Sequence, residues 1–209
     1  VTHLEFSIAG AAAEKYAAAP TLRFRIRVAE SGGNSVHALL LRAQIRIEPR
    51  RREHSGAEKN RLLDMFGEPA RWGETLKSLF WMQTVLLVPA FENSIEAELA
   101  VPCTYDFEVA GAKYFAALDD GEIPLRFLFS GTAYVRGGNG FLVEQIPWDR
   151  EAAWRMPVRL WREAMDTHFP GCAWIRLQRD TLDALERYKA SHALPGWDQA
   201  IAELLRPRQ

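Results

Sequence analysis

A two-residue alternation of apolar and polar side chains runs through the middle of this chain and leaves few folds open to it. Ile95, Ala97, Leu99 and Val101 alternate with Glu96, Glu98 and Ala100. Tyr105, Phe107 and Val109 alternate with Asp106 and Glu108, and Ile123, Leu125, Phe127 and Phe129 keep the same beat. Successive side chains of a strand point to opposite faces, so this period predicts half-buried strands. Three in succession predict a sheet with one oily and one wet face.

The beat recurs towards the N-terminus. Leu4, Phe6 and Ile8 give a first short strand. Leu22, Phe24, Ile26 and Val28 point one way, with Arg23, Arg25 and Arg27 the other. Ser31-Gly-Gly-Asn34 supplies turn residues, and Leu39, Leu41, Ala43, Ile45 and Ile47 return with Arg42, Gln44, Arg46 and Glu48 on the wet face. Two such runs around a turn predict a β-hairpin. Gln83 to Val88 reads as a further strand, and Thr132–Arg136 with Phe141–Ile146 as a second hairpin around Gly137-Gly-Asn-Gly140.

Helical spacing interrupts this pattern once and then replaces it. A short helical insertion is predicted at about 58–80, from Glu58 to Phe66 with Gly67 as its stop, then from Arg71 to Phe80. After Pro147 the two-residue period lapses, with Asp149 as a helix N-cap. Pro157 opens a helix carrying Val158, Trp161, Ala164, Met165 and His168. Trp174 to Leu177 reads as a short strand, followed by helices at Thr181–His192 and from Trp197. The fold class expected is α+β, an antiparallel β-sandwich-like body over 1–147 with a helical C-terminal portion, 148–209, packed on it in one compact unit.

Composition narrows the function classes. With 209 residues and a formal net charge of −1, no global field draws the chain to nucleic acid or an anionic membrane. Its two cysteines, Cys103 and Cys172, exclude a disulfide scaffold and a four-cysteine zinc site. A reduced, cytoplasmic setting is expected, since Val1-Thr-His-Leu-Glu-Phe6 has no basic region followed by an apolar core. The longest apolar run, Val85 to Phe91, is too short to span a bilayer.

No catalytic set, cofactor or metal is expected. His3, His37, His54, His168 and His192 are scattered without HxxxH or HxH spacing. Asp119-Asp-Gly-Glu122 lacks the ligand spacing of a calcium loop and reads as a turn. Gly137–Gly140 joins two strands, so the phosphate-binding mechanism of a helix N-terminus is absent. An enzyme would need Cys103, His168 or the Asp119–Glu122 loop to converge in a pocket between sheet and helices.

Candidate contact residues come from charge and aromatic content. Arg23, Arg25 and Arg27, and beyond the strands Arg50, Arg51 and Arg52, could grip an acidic partner. The alternative is that the strand arginines answer the carboxylates of Glu96, Glu98, Asp106 and Glu108, which leaves Arg50–Arg52 as the better contact residues. Trp148, Trp154 and Trp161 could add apolar anchors in a partner groove. The strand–helix–helix order from Trp174 onwards also resembles a ribbon-helix-helix DNA-binding unit, with Arg176 and Gln178 as base readers. Its six Arg/Lys against five Asp/Glu argue against DNA.

Several phrases taken together carry a family resemblance: Gln44-Ile-Arg-Ile-Glu-Pro-Arg-Arg51, Leu63-Asp-Met-Phe-Gly-Glu-Pro-Ala-Arg-Trp72, Val101-Pro-Cys-Thr-Tyr-Asp-Phe107, Asp120-Gly-Glu-Ile-Pro-Leu125 and Trp161-Arg-Glu-Ala-Met-Asp-Thr-His-Phe-Pro170. The chain resembles, over essentially its whole length, a family of uncharacterised bacterial proteins common in actinobacteria and described only as a domain of unknown function. That resemblance implies genes beside those of uptake-type nickel–iron hydrogenases and their maturation factors, hence an accessory or assembly role. It assigns no catalytic residues. The function expected is a non-catalytic protein-binding or assembly factor, with an enzyme of unknown type and a DNA-binding regulator as alternatives.

Overall fold

The computed structural model describes residues 2–104, 106, 109–137, 140–172 and 175–206. Residues 1–174 form one compact unit and 175–209 a second. Among the described residues, seven strands build the first unit: β1 (Leu4–Ala13), β2 (Thr21–Glu30), β3 (Val36–Ile47), β4 (Leu79–Val88), β5 (Ser94–Pro102), β6 (Glu122–Gly137) and β7 (Gly140–Pro157). They form a three-stranded sheet, β1–β2–β5, and a four-stranded sheet, β4–β3–β6–β7, with every pairing antiparallel.

The apolar rows read from the sequence face one another across these layers. Phe6 stacks on Phe129 at 4.5 Å, and Phe24 meets Phe127 edge-on at 5.2 Å. Leu22, Phe24, Ile26 and Val28 are fully buried, as are Leu39, Leu41, Ala43, Ile45 and Ile47. The fold is therefore the expected α+β, sandwich-like arrangement. Burial of this kind contributes about 1.5–3 kcal/mol per large apolar side chain.

The first expected hairpin does not form. β2 pairs with β1 and β5, whereas β3 pairs with β4 and β6, so the turn after Glu30 carries the chain from one sheet to the other. Alternation fixes which face of a strand is buried and says nothing about its lateral neighbour. The Glu30 carboxylate holds the crossing, accepting from the backbone N–H groups of His3, Gly32 and Asn34 and from the Asn34 amide. Burial acts to raise its pKa, but these donors bring it below the usual carboxylate range.

The run of three central strands also changes. β5 and β6 lie in different sheets; Tyr105, Phe107 and Glu108 fall outside the described residues, and Val109 precedes a helix, α4 below. β7 runs unbroken through Pro147 and Asp149, so the expected boundary at 147/148 lies inside a strand and Asp149 caps no helix. As an edge strand, β7 tolerates prolines whose missing N–H would interrupt a central ladder. The β6–β7 hairpin is as expected, closing at the Gly137–Gly140 pair.

Helices close the ends of this body. The insertion holds α1 (Gly56–Arg61), α2 (Leu63–Phe66) and α3 (Trp72–Thr75). α3 is shorter than expected because Leu79 and Phe80 already belong to β4. α4 (Ala110–Ala117) brings Phe115 against Trp81 at 5.0 Å and Trp161 at 5.7 Å. Trp161 lies on α5 (Val158–His168), which Pro157 immediately precedes.

The second unit contains α6 (Arg179–Ser191) and α7 (Trp197–Leu204). Lys189 Nζ sits 4.6 Å above the Trp197 ring, a cation–π contact. Trp174 lies outside the described residues, and Ile175–Gln178 form no strand. The strand a ribbon-helix-helix unit needs is thus not present at Arg176 and Gln178.

Candidate functional site

Arg23, Arg25 and Arg27 point out from β2, the middle strand of its sheet, and stand opposite the outward residues of β5. Arg25 faces Glu98 and Arg27 faces Glu96 in the ladder. Arg23 bonds to Glu14 and, at 3.1 Å, to Glu98, while Arg25 reaches Glu96 at 3.9 Å. Opposite charges across adjacent strands support pairing, so this wet face supplies its own counter-charges. Asp106 is not on that ladder, and Glu108 is outside the described residues.

The Arg50–Arg52 run divides into two roles. Pro49–Arg51 form a single 3-10 turn with Pro49 buried. Arg52 then turns inward: its Nη2 donates to Glu58 Oε1 at 2.8 Å, with side-chain exposures of 9% and 3%. Its guanidinium also donates to the carbonyls of Glu53, Asp120 and Glu122. Glu58 accepts further from the N–H groups of Ser55 and Asp119, and Ser55 caps α1 in return. Burial favours neutral Glu58, yet these N–H groups and Arg52 hold its pKa below the usual range. The spacing Ser55-x-x-Glu58 is a capping-box signature, and it was the available clue that Glu58 is anchored.

The same knot contains Tyr114 and His54, which in the sequence is only one of five scattered histidines. His54 Nε2 lies 2.9 Å from the Tyr114 hydroxyl, and the imidazole meets Trp72 edge-on at 5.3 Å. Burial, then the charge of Arg52, push the His54 pKa down to about 4, and burial pushes the Tyr114 phenol up. The group ties the insertion to α4.

Arg50 and Arg51 remain outside this knot. Both are exposed, and neither side chain has an ion pair or hydrogen bond among the described residues. Arg155 Nη2 donates to the Arg51 carbonyl at 3.1 Å, steadying the turn from the far side. Arg51 and Arg155 border a cleft of about 480 Å³ that is walled by Pro124, Leu125 and Trp154 and contains one carboxylate, Glu122. Cationic groups on a fixed turn beside an apolar wall suit an acidic segment with a bulky side chain.

The three tryptophans do not form one groove. Trp161 is buried against Phe115. Trp154 packs edge-on against Phe24 at 5.7 Å while touching the cleft with its remaining surface. Trp148 is 87% exposed.

The groups named above for an enzyme have the following surroundings. Cys103 is buried, and burial pushes its thiol up to about 12, which removes the thiolate a nucleophile needs. The His168 ring nitrogens lie 3.1 Å and 2.8 Å from the carbonyl oxygens of Ala164 and Ala17. Asp119 pairs with Arg61 at 2.5 Å, and its loop belongs to the Arg52–Glu58 knot. Among the described residues no cluster of three or more potential metal ligands occurs, and no helix is long and apolar enough to cross a membrane.

Comparison with solved structures returns remote likenesses. A CARDB domain from Pyrococcus furiosus, solved with di-metal ions, is 10% identical over 74% of this chain and 91% of that one, with a TM-score of 0.28. The Bordetella pertussis protein assigned as ApaA is 13% identical over 74% and 93%, at 0.28. β-Glucosidase 3B from Thermotoga neapolitana, solved with α-D-glucose, is 12% identical over 74% of this chain and 17% of that one, at 0.27. TM-scores this low carry no argument about ligand or activity. No curated protein matches the sequence. The model for a family of unknown function, DUF6084, matches residues 1–209, and the chain belongs to that family.

Proposed function

We propose that this protein is a non-catalytic binding or assembly factor that recognises an acidic segment of a protein partner through Arg50 and Arg51. The observation that carries this reading is the division of the arginine run. Pro49 is buried and the Arg52 side chain nearly so, and both act as anchors, so the two exposed arginines between them are presented on a turn already fixed before binding. Preorganisation of this kind reduces the ordering cost of association. The cleft beside Arg51, with Trp154 in its wall, would receive the partner's apolar side chain.

A reducing, cytoplasmic site fits the free thiols of Cys103 and Cys172. The gene neighbourhood implied by the family resemblance makes a nickel–iron hydrogenase subunit or maturation factor the first partner to test. The test is affinity capture from the native host followed by mass spectrometry. A specific acidic partner should be retained by the wild type and lost by the double variant Arg50→Ala/Arg51→Ala. Capture that survives the double variant, or no specific partner at all, contradicts this reading.

A further inference from the structure

The cleft beside Arg51 holds a second guanidinium, and a carboxylate of this chain already faces it. In the β6–β7 ladder Arg155 stands opposite Pro124, and Glu122 stands opposite Pro157. Glu122 and Arg155 are therefore diagonal neighbours on one face of the sheet, where long side chains reach one another. Both line the cleft. Arg155 Nη1 lies 3.8 Å from Glu122 Oε2, with side-chain exposures of 55% and 52%.

The two ends of this pair are held unequally. The Arg155 backbone is fixed in the ladder, and its Nη2 donates to the Arg51 carbonyl at 3.1 Å. Its guanidinium makes no other hydrogen bond among the described residues. At 3.8 Å the Glu122 carboxylate is a counter-charge beyond hydrogen-bond reach. The Glu122 backbone carbonyl accepts from Arg52, but its carboxylate has no partner besides Arg155 among the described residues. Arg52 and Glu58, by contrast, meet at 2.8 Å and are nearly buried. An exposed pair without a hydrogen bond contributes little. Parting it leaves Glu122 in water, so no buried charge is stranded.

We propose that Arg155 is a third guanidinium of the acid-binding site and that Glu122 is its built-in competitor, displaced when a carboxylate of the partner takes its place at Arg155. The inference rests on the Arg50–Arg51 reading and names how that site selects its ligand. A partner carboxylate at Arg155 makes a charge-assisted hydrogen bond that Glu122 does not make. A segment without an acid offers Arg155 nothing in exchange and leaves the Glu122 pair in place. Glu122 thus acts as a filter that admits acidic segments and turns neutral ones away.

NMR titration of the full chain at low salt with the probe acetyl-Glu-Glu-Leu-Glu-Glu-amide tests this. Glu122→Gln should bind the probe about threefold more tightly than the wild type, the scale of one exposed ion pair. Arg155→Gln should bind it more weakly, and adding Glu122→Gln to that variant should bring no gain, because Glu122 competes only at Arg155. Each variant should keep the wild-type circular dichroism spectrum, since both side chains are exposed. An unchanged affinity in Glu122→Gln, or an equal gain with and without Arg155, would overturn the proposal; the equal gain would be a general charge effect. Should Arg50→Glu/Arg51→Glu still abolish binding in that event, the Arg50–Arg51 reading stands and this inference alone fails. A probe bound by neither the wild type nor Glu122→Gln contradicts both.

Discussion

At the scale of single residues, three consecutive arginines behave differently because of what surrounds them. Arg52 has four acceptors around a nearly buried guanidinium, and removing it would leave the Glu58 carboxylate charged with no counter-ion. Breaking a buried pair from one side costs about 3–5 kcal/mol, whereas an exposed side chain without partners changes stability by about 0.5 kcal/mol or less. Arg52→Ala should therefore lower the urea-unfolding free energy by about 3 kcal/mol, and Arg50→Ala should leave it unchanged. Equal effects for the two would contradict the division of roles. An Arg-Arg-Arg string does not say which member is anchored; that depends on Glu58 and on carbonyls about seventy residues away, which only the folded chain brings together.

His54 makes a pH-dependent contribution of definite sign. Its folded pKa, near 4, is below its ordinary 6.5 because burial and then Arg52 oppose the charged form. The unfolded chain accordingly takes up a proton that the folded one refuses. This stability is complete above pH 6.5 and is lost as pH falls from there towards 4. Urea unfolding at stepped pH should show that decline, and His54→Gln should flatten it while leaving the carboxylate-driven loss at lower pH. A curve of the same shape in both proteins would show that His54 is not the group responsible.

At the scale of elements, β6 illustrates how one position governs a long strand. It runs sixteen residues and pairs with β3 on one side and β7 on the other. At Gly131 the backbone takes φ of +142°, and a Cβ there would lie 2.0 Å from the Leu40 carbonyl oxygen. Only glycine fits so close an approach in that conformation. Gly131→Ala should cost at least about 2 kcal/mol, a fall in Tm of roughly 4–8 °C. Gly140→Ala, at φ of +148° but with open space around it, should cost less. Calorimetry that ranks them the other way would contradict the account.

Elements also show what alternation can convey. The rows from Leu22 to Val28 and from Leu39 to Ile47 were legible as strands because burial on one face imposes period two. Their assignment to different sheets was not, since a residue facing the core looks the same whether its sequence neighbour lies beside it or across from it. α4 escaped notice because eight residues rich in alanine show little periodicity, although Tyr114 and Phe115 are fully buried in it. Pro147 reads as a break in the sequence, yet β7, an edge strand, accommodates it.

At the scale of the whole molecule, the first unit pairs part of its surface charge internally and leaves Arg50, Arg51 and the β4 edge without such an answer. Arg23 and Arg25 are matched by Glu14, Glu96 and Glu98, and such exposed pairs contribute about 0–1 kcal/mol each. Arg50 and Arg51 have no such match, and β4 has no charge to keep another strand away. The candidate arginines were thus visible in the sequence as a group, while the distinction among them rested on burial and register.

The most direct test of the central claim compares these arginine sets in one measurement. Affinity of the captured partner is determined against increasing salt for the wild type, for Arg50→Glu/Arg51→Glu, and for Arg25→Glu/Arg27→Glu. If Arg50 and Arg51 meet an acidic segment, binding weakens with salt in the wild type. It should then be lost in the first variant and kept in the second. Equal loss in both variants, or binding that salt and the Arg50–Arg51 exchange leave untouched, would contradict the account.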